Sequence, residues 1–233
     1  MGKRYGQFCP VAMAAEILCE RWMPLVLREL MYGSTRFNDI GRGVPLMSRA
    51  LLVQRLRELE AAGMVRRDAR GYRLTEAGEA LRPTIEQMGM WAQGWLRQRL
   101  ADDALDDKLL MWSLRRSLRL PPGFGRTLLL RFDFHGLPRG SRVARRSWWL
   151  LARAPGDVEI CVKDPGFETD VVVEADLRAF TEVILGRRTL PAALRERLVK
   201  LHGPAALLRR LTRWLPLRGE AMRGMGLAPP PGA

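Results

Sequence analysis

The sequence predicts an α+β protein with two domains, a helical N-terminal domain carrying one hairpin and a C-terminal α/β domain with a mostly antiparallel sheet. The chain has 233 residues, which is enough for two ordinary domains. The first hundred residues show helical periodicity with one interruption at Gly71. Beyond the acidic segment 100–107, apolar runs alternate with turns rich in Pro and Gly. We therefore predict domains at 1–99 and 108–215, a linker at 100–107 and a flexible tail at 216–233.

Three helices are predicted before residue 46. The first has an apolar face formed by Val11, Ala14, Ala15 and Leu18, which follow the spacing i, i+3, i+4, i+7. The second follows Trp22, accommodates Pro24 in its first turn and ends at Gly33. The third is short, begins near Arg36 and includes Ile40.

The fourth helix carries the main functional prediction. Ser48 is a good N-cap, and an inward row is formed by Leu52, Leu56 and Leu59. Rotation by about 100° per residue then places Ala50, Gln54 and Arg57 outward, with Arg49, Val53 and Arg55 on the flanks. Arginine can bind guanine, and glutamine can bind adenine, through two hydrogen bonds in a major groove. The alternative is a solvated face whose side chains pair with Glu58 or Glu60.

A hairpin and a long helix complete this half of the chain. Val65, Tyr72 and Leu74 favour two strands around residues 68–71, which would display Arg66, Arg67, Arg70 and Arg73 to phosphates or simply to water. Thr75 is predicted to cap a helix whose apolar seam suits a partner helix, with Leu81, Ile85, Met88, Ala92 and Trp95 along it.

Several strings in this half resemble the HxlR family of bacterial winged helix-turn-helix transcription regulators. They are CPV at Cys9, RWMPLVLREL from Arg21, RFNDI from Arg36, RLRELEAAGMV ending at Val65 and YRLTEAG from Tyr72. The resemblance implies a homodimer that grips a roughly palindromic double-stranded DNA operator, with the first and last helices in the dimer contact. The expected DNA-binding residues are Arg36, Ser48, Arg49, Gln54, Arg55, Arg57, Arg67, Arg70 and Arg73.

Three cysteines, at spacings that match no zinc pattern, predict neither a disulfide framework nor a metal site, and no cofactor is expected. Some regulators of the resembled family use a cysteine just before the first helix as an oxidation sensor, so Cys9 is a candidate redox sensor. A helix N-terminus and nearby Lys3 and Arg4 would favour reactivity at this position, while a buried or family-typical thiol is the alternative. Cys19 and Cys161 are read as small core residues.

The second domain is predicted to layer helices on short strands. The strands are TLLLRFDF from Thr127, SWWLLA from Ser147, VEICVK from Val158 and DVVVEA from Asp170, and the helices span Leu109–Leu120, Asp176–Leu185, Pro191–Leu198 and Ala205–Leu215. No nucleophile elbow, phosphate loop or metal-spaced set is present in the sequence, so no enzyme is predicted.

The run from Asp164 to Pro204 resembles the sterol-carrier-protein-like domain fused behind some HxlR-type regulators. This implies an apolar cavity for a hydrophobic small-molecule effector. Its expected lining is Trp112, Phe132, Phe134, Trp148, Trp149, Phe167, Phe180 and Ile184, for which core packing is the alternative.

The formal net charge of +14 suggests a polyanionic partner or an anionic membrane surface. Residues 1–105 hold 16 basic and 12 acidic side chains, whereas residues 106–233 hold 23 and 13. Candidates for contacts with flanking DNA or with an anionic surface are therefore Arg142, Arg145, Arg146, Arg209, Arg210 and Arg213. No apolar run is long enough to span a bilayer, and a cytoplasmic protein is expected. A lipid carrier or membrane-surface protein whose helical half only dimerises is the alternative to a DNA-binding regulator.

Overall fold

The computed structural model describes residues 5–96, 100–121, 123–137, 147–154 and 156–215, with the backbone alone for Gln93, Ala154, Thr212 and Arg213. The chain divides into two compact units, Met1–Leu96 and Arg97–Ala233, called unit 1 and unit 2 below. The predicted tail at 216–233 lies outside the described residues. The elements of unit 1 are α1 (Pro10–Leu18), α2 (Met23–Met31), α3 (Phe37–Gly43), α4 (Arg49–Ala61), β1 (Val65–Asp68), β2 (Gly71–Leu74), α5 (Glu76–Glu79) and α6 (Arg82–Trp95).

The helix ends in unit 1 follow signals that are visible in the sequence. Gly33 follows α2 with a φ of 88°, a left-handed conformation that glycine adopts without strain. The Ser48 hydroxyl accepts a hydrogen bond from the backbone N–H of Leu51 at 3.2 Å and so caps α4. Thr75 caps α5 in the same way through Gly78 N–H at 3.2 Å. These caps were predicted and are confirmed.

The core of unit 1 lies between α2, α3 and α4. Val26, Leu27, Ile40 and Leu56 are completely buried there, and Leu52 nearly so. Each such side chain contributes roughly 1.5–3 kcal/mol relative to an exposed position. The inward row predicted for α4 is therefore confirmed, and it fixes which face of α4 points to solvent.

The hairpin β1–β2 is anchored to the loop between α2 and α3. Its strands pair antiparallel from Val65 opposite Leu74 to Asp68 opposite Gly71. Tyr72 N–H donates to the Thr35 carbonyl at 2.8 Å. Gly71 has a φ of 120°, and a Cβ atom there would lie 2.4 Å from the same carbonyl oxygen. Glycine is required at this position because the strand passes so close to the loop.

One prediction for unit 1 needs correction. The helix after Thr75 is interrupted, since α5 ends at Glu79 and α6 begins at Arg82, with a proline in the first turn of α6. The predicted apolar face of α1 contains no residue that is buried within the protomer, and Val11 on this face is exposed.

Unit 2 places helices and a five-stranded sheet around its own core. Its elements are α7 (Asp107–Ser117), β3 (Leu128–His135), β4 (Ser147–Ala154), β5 (Asp157–Cys161), β6 (Val171–Asp176), α8 (Leu177–Ile184), α9 (Leu190–Arg195), β7 (Val199–His202) and α10 (Ala205–Trp214).

The sheet order is β5-β4-β3-β6-β7. Among these strands β3 and β6 pair parallel, and the other three neighbouring pairs are antiparallel. The mostly antiparallel sheet is thus confirmed, whereas the parallel pair and the strand β7 were not predicted. The predicted helix Pro191–Leu198 ends at Arg195 because Arg197 adopts a left-handed φ of 58°, and the chain then becomes extended.

Residues 100–107, predicted as a linker, pack with unit 2. Leu105 is fully buried in its core. The Asp106 carboxylate accepts from Leu109 N–H at 2.9 Å and caps α7. The buried Asp107 carboxylate accepts the indole N–H of Trp148 at 2.9 Å.

The side chains predicted to line a ligand cavity in unit 2 mostly form its packed interior. Phe132, Phe134 and Phe180 pack together, with ring centroids 6.0–6.4 Å apart. Trp112 and Trp148 are also buried. Ile184 packs against the core, Trp149 lies with Leu129 and Leu151 in a separate cluster, and Phe167 is exposed. Aromatic contacts fill the space between β3 and α8, and a role of these side chains in lining a ligand cavity stays a prediction.

Candidate nucleic-acid interface

The exposed face of α4 carries the residues predicted to read bases. Ala50, Gln54 and Arg57 are exposed, as is Arg49 at the start of the helix. Their solvent-facing position follows from the burial of the leucine row on the opposite side. The short side chain of Ala50 leaves room for a groove wall to approach the helix.

Arg49 is positioned by residues of α3. Its guanidinium lies 5.2 Å from the centroid of the Phe37 ring. Its Nη2 donates to the Asn38 Oδ1 at 3.3 Å. Arg36, which precedes α3, is exposed, and the cap residue Ser48 is exposed beside Arg49. The start of α4 and the start of α3 thus share a surface rich in donors.

Arg55, by contrast, faces into unit 1. Its side chain is 10% exposed, and its Nη2 donates to the Glu20 carboxylate at 2.8 Å. Its Nη1 donates to Glu58 at 2.6 Å, and its Nε donates to the Arg21 carbonyl at 3.1 Å. Through these three hydrogen bonds the guanidinium joins α4 to the segment between α1 and α2, which gives Arg55 a structural role. Its contact with DNA stays a prediction.

Glu58 links this buried arginine to the reading face. Its Oε1 accepts from the Gln54 amide at 2.9 Å, while its Oε2 is bound by Arg55. Burial of the Glu58 carboxyl alone would raise its pKa, but hydrogen bonds from Arg55 and Gln54 outweigh burial and hold the pKa below its usual value of 4.5. Gln54 is therefore exposed but oriented by an ionised neighbour one turn further along α4.

The hairpin displays a cluster of arginines. Arg67 and Arg70 are exposed, and the Arg67 guanidinium lies 5.5 Å from the Tyr72 ring centroid. Arg73 is half-buried, with its Nε 3.2 Å from the Asp68 carboxylate. Asp68 also accepts the backbone N–H of Arg70 at 2.7 Å, which shapes the turn. The hairpin thus exposes the guanidiniums of Arg66, Arg67 and Arg70.

A buried carboxylate that sequence reasoning missed holds α2 against α3. Glu29 is fully buried and accepts from Arg28 Nη2 at 2.8 Å and from the Ser34 hydroxyl at 3.4 Å. The same Arg28 nitrogen donates to the Gly43 carbonyl at 2.9 Å. Gly43 leaves room for the carboxylate, since a Cβ atom there would lie 2.4 Å or less from both Glu29 oxygens. The sequence does contain a signal for this buried carboxylate: Glu29 lies in an apolar helix, three residues after the buried Val26.

Large apolar side chains are exposed on both ends of unit 1. Phe8, just before α1, is 98% exposed, and Val11 is exposed on α1 itself. On α6 the exposed side chains are Met88, Trp91 and Trp95. Of these Trp91 was not in the predicted seam, and Leu81 and Ile85 pack instead against the core of unit 1.

The cysteines are separate from one another. Cys9 is half-buried at the N-cap of α1, and Cys19 is exposed at its C-cap, so about ten residues of helical rise, roughly 15 Å, lie between them. Burial, with Glu159 adding to it, raises the pKa of the Cys161 thiol. Lys3, Arg4, Arg142, Arg145, Arg146 and the Arg213 side chain lie outside the described residues.

Neither a metal centre nor a membrane span is found in the part of the chain that the structure describes. Those residues contain no group of three or more His, Cys, Asp and Glu side chains placed to hold a metal ion. No helix in the same ranges is both long and apolar enough to cross a bilayer.

The helices α2, α3 and α4, followed by a two-stranded hairpin, define unit 1 as a winged helix-turn-helix unit. In this arrangement α4, which presents polar side chains outward, takes the place of the recognition helix, and the hairpin takes that of the wing. The profile of the HxlR-like helix-turn-helix family matches residues 17–100. The chain belongs to this family and is a DNA-binding transcriptional regulator.

Relatives agree with this assignment. The HTH-type transcriptional regulator YvaP of Bacillus subtilis is 36% identical over 99 residues, which cover 39% of this chain and 92% of the relative. The regulator YodB of the same organism is 36% identical over 92 residues, covering 36% of this chain and 82% of YodB. A crystal structure of quinone-bound YodB is 38% identical, covers 36% of this chain and 97% of that one, and has a TM-score of 0.34.

Proposed function

We propose that the protein is a sequence-specific regulator that binds a double-stranded operator as a homodimer and reads bases with α4. The single observation that carries this proposal is the exposed row Arg49, Gln54 and Arg57, which stands opposite the buried leucines of the same helix. Arginine offers two donors, which match the two acceptors of guanine, and glutamine offers a donor and an acceptor, which match those of adenine.

Phosphate contacts surround this row. Arg36 and Ser48 lie exposed near the start of α4 and are assigned to backbone phosphates. On the wing, Arg67 and Arg70 are the main phosphate contacts, and Arg73 contributes less because Asp68 compensates part of its charge. Arg55 is left out of the proposed interface because its guanidinium is bound to Glu20 and Glu58.

The homodimer is supported by the exposed apolar side chains of α1 and α6. Clustered large apolar residues on a water-facing surface are typical of protein interfaces. Burial of Val11, Met88, Trp91 and Trp95 against a second copy would remove them from water. The two copies would present two recognition helices to successive major grooves.

The proposal for unit 2 is a sterol-carrier-like domain that binds a hydrophobic effector. Its support is the sequence pattern from Asp164 to Pro204. A groove of about 170 Å³ beside Phe167 is smaller than the roughly 300–1,000 Å³ of usual small-molecule sites. Effector binding in this groove therefore requires the groove to widen. The test is mass spectrometry of small molecules that co-purify with the full chain. A chain that carries none, and whose operator affinity does not respond to added fatty acids or sterols, contradicts this part of the proposal.

Cys9 is proposed as a redox-responsive thiol because it is partly accessible at the start of α1. Cys19 is too distant for a bond within the protomer, since disulfide-linked Cα atoms lie about 4.4–6.8 Å apart. Formation of a disulfide by Cys9 would therefore use a thiol other than Cys19 of the same protomer. The test compares the effect of diamide on operator binding by wild type, Cys9→Ser and the control Cys19→Ser. Equal responses of all three proteins would exclude a role for Cys9.

The DNA-reading proposal is tested by selection of bound duplexes from a random pool, followed by affinity measurements. Gln54→Ala and Arg57→Ala should each reduce preference for the selected sequence, by about 1–3 kcal/mol per lost bidentate contact. Arg153→Ala, which removes an exposed arginine of unit 2, is the matched control and should leave the preference unchanged. Retention of full sequence preference by both α4 variants would refute the assignment of α4 as the reading element.

A further inference from the structure

Half of the net charge of the chain is concentrated in one short segment of unit 2. Residues 187–213, called the basic segment below, contain eight arginines and lysines and a single acid, Glu196. This gives +7, against +14 for all 233 residues. Unit 1, which reads DNA, is less basic than this segment of 27 residues.

The basic segment includes the strand at one edge of the sheet of unit 2 and the helices that precede and follow this strand in the sequence. It contains α9, the edge strand β7 and α10. In the described sheet β7 pairs with β6 on one side and ends the strand order on the other. The charge therefore lies on the periphery of the unit, where a large partner can approach.

Acidic side chains lie close to two of these basic side chains. Arg188 is bound by Glu182 and Glu196. Lys200 lies 3.7 Å from the Glu174 carboxylate. The basic side chains that are exposed elsewhere in the segment are Arg195, Arg197, Arg209 and Arg210, together with Arg187. Several guanidiniums are thus presented to solvent by three consecutive elements.

The apolar side of α10 is already used in the core. Leu211 and Trp214 are buried, and Leu207 and Leu208 pack against the core of unit 2. The Trp214 ring meets the Phe124 ring edge-on at 5.3 Å. An amphipathic helix that binds a membrane inserts its apolar face among the lipids. Because α10 buries that face inside the unit, its exposed arginines suit a polyanion better than a bilayer.

We propose that the basic segment is a second, sequence-independent DNA-binding surface that contacts phosphates of duplex DNA outside the bases read by α4. Guanidinium groups bind phosphate oxygens through paired, charge-assisted hydrogen bonds. Such contacts release condensed counterions, so they strengthen binding without selecting sequence. The inference rests on the proposed function, since it takes DNA as the partner, and it assigns the partner of unit 2 independently of any effector.

The test uses the full chain with Arg209→Gln and Arg210→Gln combined. The matched control is Arg153→Gln with Lys163→Gln, which removes the same charge from exposed positions elsewhere in unit 2. Affinity for a long duplex that contains the selected sequence is measured over a salt series. Loss of two phosphate contacts should lower the slope of log affinity against log salt by about 1.8 per protomer. Relative to 1 M salt, this corresponds to a loss of about 30-fold in affinity at 0.15 M.

The outcomes separate this inference from the proposed function. We expect the double variant to keep the wild-type ratio of affinities for selected and scrambled sequences, while both absolute affinities fall. A double variant whose slope equals that of the control, and whose thermal unfolding is unchanged, overturns the inference and leaves base reading by α4 intact. A wild-type chain that prefers no sequence overturns the proposed function instead. Sedimentation with phosphatidylserine vesicles is the third measurement: loss of vesicle binding with an unchanged DNA slope would assign the surface to membranes and also overturn the inference.

Discussion

Replacement of Arg55 tests whether the recognition helix is held by a buried ion cluster. Arg55→Met keeps the length and the apolar stem of the side chain but removes hydrogen bonds to Glu20, Glu58 and the Arg21 carbonyl. Hydrogen bonds to charged groups contribute about 1.5–3 kcal/mol each. Glu20 and Glu58 are 34% exposed, so water can solvate both carboxylates after the substitution and recover part of this energy. We expect the opening free energy of α4 to fall by about 2–4 kcal/mol.

Hydrogen exchange of the α4 amides measures this energy locally, which matters because a chain with two units need not unfold in a single step. Glu20→Gln is the matched partner variant, and the double variant completes a cycle that isolates the Arg55–Glu20 interaction. The pair should couple by about 0.5–3 kcal/mol because the two side chains are in direct contact.

The reasoning is refuted if Arg55→Met changes the exchange of α4 by less than about 0.5 kcal/mol, the size typical of surface substitutions. If that variant instead lowered the salt slope of operator binding by about 0.9, one phosphate contact would have been lost. The original expectation from the sequence, a DNA contact by Arg55, would then be restored.

Three further perturbations test other parts of unit 1. Gly43→Ala should lower the melting temperature, at a cost of about 1–3 kcal/mol from overpacking, because the added Cβ would overlap the Glu29 carboxylate. Gly41→Ala is the neutral control, since the nearest side-chain atom to a Cβ at that position is 3.7 Å away. Trp91→Ser should weaken self-association, measured by sedimentation equilibrium, with little loss of protomer stability, since Trp91 is 58% exposed. An unchanged association constant would exclude α6 from the dimer contact. Glu58→Gln should reduce the acid sensitivity of unfolding. The lowered pKa of Glu58 gives a stabilisation that is present above pH 4.5 and is lost as pH falls through the lower pKa of the folded state. Identical profiles of stability against pH for the variant and the wild type would contradict the ion cluster.

Local signals predicted unit 1 well because each is decided within a few residues. A cap such as Ser48 depends on the backbone N–H groups directly after it, and the leucine row of α4 depends on a period of 3.6 residues. Gly33 marks a position where only the backbone conformation matters, since a Cβ atom there would meet no other atom within 4 Å. The turn of the wing follows from the same kind of information.

Arg55 could not be placed correctly from the sequence because its partners are distant along the chain. The helical period puts it on the flank of α4, where either solvent or protein can face it. Glu20 lies 35 residues earlier and is brought into contact only by packing of the helices. The fully buried Glu29 poses the same problem, because its cost of burial is offset by Arg28 and by space at Gly43.

Unit 2 shows a second limit of predicting structure from short stretches of sequence. Runs of alternating apolar residues predicted the strands, but they contain no information on neighbours, so the parallel pair β3–β6 was missed. The short strand β7 follows a left-handed Arg197, which interrupts the helical pattern without a glycine or proline to mark it. Aromatic side chains were equally ambiguous, since core and cavity linings draw on the same residues.

The contacts of the reading residues in the free protein bear on specificity. Arg49 is bound to Asn38 and stacked on Phe37, and Gln54 is bound to Glu58. A base must therefore offer hydrogen bonds at least as good as those that these side chains already make. A matching base pair replaces them, whereas a mismatched one leaves a donor or acceptor unpaired in the groove, at a cost of about 1–3 kcal/mol. Under the proposed base reading by α4, these intramolecular partners raise the threshold for binding. Discrimination is then expected at Gln54, where the competing carboxylate of Glu58 stays ionised because Arg55 holds it.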